Sequence, residues 1–204
     1  MKHKSNLGLY EYWNSRRGDQ KVPLRGRIEP AQIQTALPNV FVLDRTGDRL
    51  VFRLAGTAVC SLFGRELRES GIETLWQPQK IGIASALLKR AYINGVPVAL
   101  TLNGESQSGR SVELEMLLLP LASQPGLIDR FLGSVNPLSK PYWLHLDPVV
   151  ALQTLSGAVL EPPAPDVTGT DLPGPGPMAV YRSRRAGSDV QRLCTLTVIE
   201  GGRR

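Results

Sequence analysis

Residues 52–67, FRLAGTAVCSLFGREL, run a strand directly into a short helix. The apolar run ends in Leu54, Ala55 and Gly56, and Thr57 stands where a helix N-cap is expected. Val59, Cys60, Leu62 and Phe63 fill one or two turns, and Gly64 is a natural helix stop. With no polar spacer between the two elements, this is a packing joint rather than a flexible loop.

Upstream of the joint, residues 39–44 (NVFVLD) and 49–54 (RLVFRL) are rich in β-branched and aromatic types. The turn Arg45-Thr46-Gly47-Asp48 separates them, so they read as a hairpin. Downstream, Pro78 opens the longest helical pattern, PQKIGIASALLKRAYING, with Ile81, Ala84, Leu88 and Ala91 on one stripe and Asn94-Gly95 as its stop. Three strand patterns follow at 96–103, 110–121 and 130–136. The third-last alternates Val98, Leu100 and Leu102; the next alternates Val112, Leu114, Met116 and Leu118 against Glu113 and Glu115, which predicts one wet face at its start. No parallel βαβ rhythm and no internal repeat is present.

Before the hairpin, residues 5–17 predict an amphipathic helix capped by Ser5 and stopped by Gly18. A basic arm spans Asp19–Glu29, and Pro30 starts a short helix. After Pro141 the character changes. Tyr142–Ala158 is apolar and read as helical in part, 161–177 is a Pro/Gly-rich linker, and 193–199 (LCTLTVI) is a β-type run. The expected organisation is an N-terminal helix and basic arm (1–36), a central domain (37–140) and a C-terminal extension (141–204).

The chain has 204 residues and is 42% hydrophobic, enough for one ordinary domain with extensions. Its net charge of +6 is uneven: residues 1–36 and 178–204 each carry +4, residues 37–140 carry +2 and residues 141–177 carry −4. Basic ends suit nucleic acid, an acidic partner or an anionic surface, or are simply solvated. Two distant cysteines, Cys60 and Cys194, predict neither a disulfide scaffold nor a metal site. No apolar run is long enough to span a bilayer and no signal peptide is read, so a cytoplasmic location is expected.

The words Tyr12-Trp13, Arg16, Pro23-x-Arg25, Ile28-x-Pro30, LPNVFVLD, RLAGT (53–57), LFGREL (62–67) and Leu75-Trp76 together resemble a bacterial PAS-domain family found mainly in alphaproteobacteria. The resemblance covers about residues 5–140. One departure is Arg68-Glu69-Ser70-Gly71, where a glycine nearer Leu67 is expected. The resemblance implies an α+β fold: a cupped, antiparallel, five-stranded sheet with helices on one side, plus the N-terminal helix and the C-terminal extension. Its hollow holds a small molecule or is filled by side chains.

The pocket candidates from the sheet are Phe41, Phe52, Arg53, Leu54, Leu100 and Met116. Those from the helices are Cys60, Phe63, Trp76 and Leu88. Arg53 is expected either to pair with Glu66 or Glu73 or to anchor an anionic ligand. Tyr10, Trp13, Arg16 and Arg25 are candidates for a homodimer interface.

No cofactor is expected. Both histidines, His3 and His145, lie outside the sensor core, which disfavours haem. Residues 65–76 hold no cysteine of the kind a photoactive flavin domain uses, and no metal-ligand spacing occurs. Nucleophile elbow, P-loop, dinucleotide fingerprint and HExxH motifs are absent. The leading expectation is a non-enzymatic sensor or regulatory protein that contacts a signalling partner, gated by a small ligand or by dimer state. The alternatives are a nucleic-acid-binding accessory that uses the basic ends, and a small-molecule or second-messenger receptor.

Overall fold

The hairpin forms as expected: Val40–Thr46 (β1) and Arg49–Ala55 (β2) pair antiparallel. This computed structural model describes residues 1–144 and 146–161 throughout, and residues 196–200 as backbone. His145, Cys194 and all but the first residue of the 161–177 linker lie outside the described residues.

Within the hairpin, Val42 faces Leu54 and Leu43 faces Phe52, so Arg53 is an extra residue, a β-bulge. The joint then enters α2 (Thr57–Phe63). Its N-cap is Gly56 rather than Thr57, which is the first helical residue and makes no capping bond. Gly64 ends α2 at φ 61°, and its N–H reaches the carbonyls of Cys60 and Ser61. A Cβ at Gly64 would lie 2.4 Å from the Pro148 ring, so the site needs glycine both for its backbone and for space.

Single turns at Ile72–Leu75 and Pro78–Lys80 lead to α3 (Gly82–Asn94). Between them and α2, the loop after Leu67 folds against the free edge of β2. Phe52 donates its N–H to Ser70 O at 2.9 Å, and Glu69 donates its own to Phe52 O at 2.8 Å. Glu69 adopts φ 67°, the left-handed conformation for which glycine was missed in the sequence.

The remaining strands are β3 (Val98–Ser106), β4 (Ser111–Gln124), β5 (Leu127–Pro137), β6 (Val149–Leu160) and β7 (Leu196–Glu200). The sheet order is β2-β1-β5-β4-β3-β6-β7, every pair antiparallel. The expected five strands form a contiguous block, and the sheet has two more. β6 corrects the helical reading of Tyr142–Ala158: it pairs with β3 along its whole length. Its period of two is broken by two register shifts, which hid it in the sequence. The terminal β-type run docks on β6.

Helices cover both faces. α2 and α3 roof the inner face, where Phe41, Leu43, Phe52, Leu100, Met116 and Phe131 form one cluster. α1 (Lys4–Arg17) lies on the outer face over Leu117, Leu119, Leu121 and Leu132. β4 is therefore buried on both sides, which its unbroken Leu run encodes.

Glu115 contradicts the expected wet face, being 2% exposed. Its carboxylate accepts the backbone N–H groups of Lys2 and of His3, the latter at 3.2 Å. Asn6 joins this knot. Its amide donates to Glu115 Oε1 at 3.1 Å and to Glu115 O at 3.2 Å, and its carbonyl accepts from Ser134 Oγ at 2.6 Å and Asn136 Nδ2 at 2.7 Å. The cap of α1 is His3, whose Nδ1 accepts from the Ser5 N–H, rather than Ser5 itself.

Candidate functional site

The hollow between sheet and roof is built from residues of six strands, β1 to β6, and closed by the helices. Phe41, Phe52, Leu100 and Met116 from the sheet, and Phe63, Trp76 and Leu88 from the roof, are all buried in one cluster. Phe41 and Phe52 meet edge to face at 5.3 Å. Trp76 donates its indole N–H to Thr154 Oγ1 at 3.1 Å, tying the roof to β6. Gly133 was not singled out in the sequence, yet it makes this packing possible. A Cβ there would lie 2.1 Å from the Phe41 ring. A glycine inside the strand run RFLGSVN was the available signal.

At the mouth of the hollow a cleft of about 340 Å³ opens between the β1–β2 turn, the 72–75 turn and α3. Leu50, Ile72, Ile81 and Leu88 give it an apolar floor, and Ser85, Lys89 and Tyr92 line α3's side. Arg49 bridges the opening with a 2.6 Å ion pair to Glu73. The Arg45 guanidinium stacks 4.4 Å over the Tyr92 ring. Of the expected pocket residues only Leu88 reaches this cleft. Arg49, Glu73 and Lys89 were missed because no local pattern links a hairpin turn to residues 24 or more positions away.

Arg53 and Leu54 are not on the inner face. The bulge puts Leu54 opposite Val42, so it points outward and is 53% exposed. Arg53 pairs with neither Glu66 nor Glu73. It meets Asp44 at 3.0 Å, and Asp44 also faces Arg130 at 3.2 Å. Glu66 accepts instead from the N–H groups of Leu67 and Arg68, and Glu73 is taken by Arg49. Arg53 and Leu54 line a separate, shallower cleft of about 500 Å³ with Asp44, Thr46, Arg68 and Glu69.

Cys60 is half-buried on α2, its thiol 3.7 Å from Glu66 Oε1. Burial first, and then the Glu66 carboxylate, push this thiol above the ordinary cysteine value, against a backbone hydrogen bond from Leu67. That environment suits an inert thiol.

The expected interface residues divide. Tyr10 and Trp13 stack at 6.2 Å and are buried on their own sheet, with the Trp13 indole N–H donating to Pro120 O at 2.8 Å. They are spent within the chain and are not free to meet a second copy. Arg16 lies 5.1 Å over the Tyr12 ring and 3.8 Å from Glu29. Arg25 is exposed. Arg17, the last residue of α1, is buried and donates to Asn14 Oδ1 at 2.6 Å.

No group of His, Cys, Asp or Glu among the described residues is placed to hold a metal ion. No helix among them is long and apolar enough to cross a membrane.

A family model described as PAS domain matches residues 1–136. Among solved structures, the dark structure of the blue-light photoreceptor Aureochrome1 LOV is similar at 19% identity and TM-score 0.45, over 54% of this chain and 82% of that one. The Rhodobacter sphaeroides LOV protein is similar at 16% identity and TM-score 0.45, over 56% and 71%. An RNA-binding light-oxygen-voltage receptor is similar at 17% identity and TM-score 0.45, over 57% and 34%. No curated protein matches.

Proposed function

The chain belongs to the PAS domain family, and from that premise we propose that it is a sensory regulatory protein that works by contact with other proteins and catalyses no reaction. The filled hollow carries this reading. Phe41, Phe52, Leu100 and Met116 are at most 1% exposed and pack against one another and the roof. An interior so packed serves as a rigid core, close to crystal density, and leaves regulation to surfaces. A small ligand that gates those contacts would use the cleft at the mouth, with its apolar floor and the Arg49, Glu73 and Lys89 rim.

The test is what leaves the protein on denaturation. Purified protein is denatured and the filtrate analysed by mass spectrometry. The expected result is no organic molecule in stoichiometric amount. A stoichiometric one would overturn this reading in favour of a receptor with a resident ligand.

Self-association belongs to the same proposal, through the outward strip of α1, where Leu7 is 45% exposed, since Trp13 is already buried. Sedimentation velocity on Leu7→Asp beside the wild type checks it. A wild type that stays monomeric at every accessible concentration removes this part. The nucleic-acid reading loses the two arginines at the end of α1, since Arg16 faces Glu29 and Arg17 is buried, and keeps the exposed Arg25 of the basic arm.

A further inference from the structure

The two most exposed large apolar side chains among the described residues are Tyr142 and Leu146, each 82% exposed. Both stand on the β5–β6 connection, at the end of the sheet that holds the β3–β4 turn. The same turn buries Trp143 at 7% and Leu144 at 8%. The turn is tight: Leu144 donates to Pro141 O at 3.0 Å, and Leu146 and Asp147 donate to Trp143 O at 2.9 and 3.0 Å.

It is also fastened at both ends. Leu138 donates its N–H to Glu113 O at 2.8 Å. Asp147 accepts from Ser106 Oγ and Ser108 Oγ, each at 2.7 Å. Pro148 then lies against Gly64, the C-cap of α2. Among the described residues on either side of His145, these bonds fasten the backbone from which the two apolar side chains stand out to solvent, which reduces the conformational entropy left to lose on binding. Isolated exposed apolar residues need no explanation, but an ordered pair with a tyrosine has the character of a binding anchor.

The charges beside the pair are cationic. Arg110 lies 5.6 Å over the Tyr142 ring, and the exposed Lys140 immediately precedes the turn. Neither makes an ion pair among the described residues; the Asp147 carboxylate, held by the two serines and near enough to Arg110 to interact with its charge, is the one anion beside them, so the two cations leave the surface net positive.

We propose that Tyr142 and Leu146, flanked by Lys140 and Arg110, form the docking surface for a partner-protein segment that carries acidic residues beside apolar anchors. This rests on the contact reading above and gives that reading a location. Pro148, just beyond the turn, lies against Gly64 at the end of α2, so this surface adjoins the roof of the hollow.

The experiment places the photo-crosslinker p-benzoylphenylalanine at position 142 of the full chain in its native cells and, in separate chains, at Leu7 and at Leu54. The expected result is an adduct at 142 whose cross-linked partner peptide holds Asp or Glu next to apolar residues. Combining Lys140→Glu with Arg110→Glu should reduce its yield about tenfold, and Leu146→Asp should reduce it similarly. Both charge positions are exposed, and circular dichroism checks that the variants fold. An adduct formed only with a second copy or with lipid, or one indifferent to charge reversal, overturns the proposal. Adducts at 7 or 54 with none at 142 overturn this surface and leave the contact reading standing. No adduct at any of the three positions removes both.

Discussion

Replacing Asn6 by alanine should cost far more than deleting one polar side chain from a helix usually does. Asn6 is fully buried and makes four hydrogen bonds, two donated to Glu115 and two accepted, from Ser134 Oγ and Asn136 Nδ2. Truncation strands those last two donors, each in a residue 2% exposed. A buried polar group left without a partner costs about 1–3 kcal/mol. Two of them give about 2–6 kcal/mol, a large share of the 5–15 kcal/mol typical of a whole domain. At about 2–4 °C per kcal/mol for a chain of this size, a central loss of about 4 kcal/mol lowers Tm by roughly 8–16 °C.

Urea unfolding followed by tryptophan fluorescence is the assay, since Trp13 sits on the same helix as Asn6. The double variant Asn6→Ala, Ser134→Ala supplies the control. It removes a stranded donor together with its former acceptor, so it should be no less stable than Asn6→Ala alone. A loss below about 1 kcal/mol for Asn6→Ala would refute the reasoning. So would a double variant less stable by the full additive cost, because then water or rearrangement satisfies the knot.

Gly64→Ala should destabilise by about 2–4 kcal/mol, since it combines a left-handed backbone with a Cβ 2.4 Å from Pro148, and thermal unfolding measures it. Glu69→Gly should stabilise by about 0.5–1 kcal/mol, because the native φ of 67° strains any side chain; a decrease in Tm would argue against it. Hydrogen bonds from Ser106, and then Ser108, hold the Asp147 carboxyl below the usual aspartate range. Its folded value is therefore below its unfolded one, so its contribution is present above about pH 4 and is lost as pH falls through the depressed value. Asp147→Asn should accordingly flatten the acid limb of the stability curve, and an unchanged acid limb would sink the assignment.

The part of the fold that was legible is the part with an unbroken period. β3 and α3 show regular side-chain repeats, and the 52–67 joint carries glycines at places where the backbone needs them. What failed to show was irregular or long-range. The bulge at Arg53 sent Leu54 to the opposite face from Phe52 although the letters RLVFRL alternate cleanly. Two register shifts disguised β6. The mouth of the hollow depends on Arg49 meeting Glu73, and the seat of α1 on Asn6 meeting Glu115, 109 residues away. No local pattern in the sequence encodes either pairing.

The backbone bonds between Phe52 and the 69–70 segment have a consequence for behaviour in concentrated solution. β2 is the outermost strand on its side, and an outermost strand with free N–H and C=O groups recruits other chains into intermolecular β-structure. Here both polar backbone groups at its centre are already consumed by Glu69 and Ser70. The unusual backbone at Glu69 belongs to a plug that keeps one sheet from growing into its neighbour. A lengthened or truncated 68–71 loop would uncover this edge and surrender colloidal stability, whereas a glycine at 69 would relieve the backbone and keep the same N–H on Phe52 O.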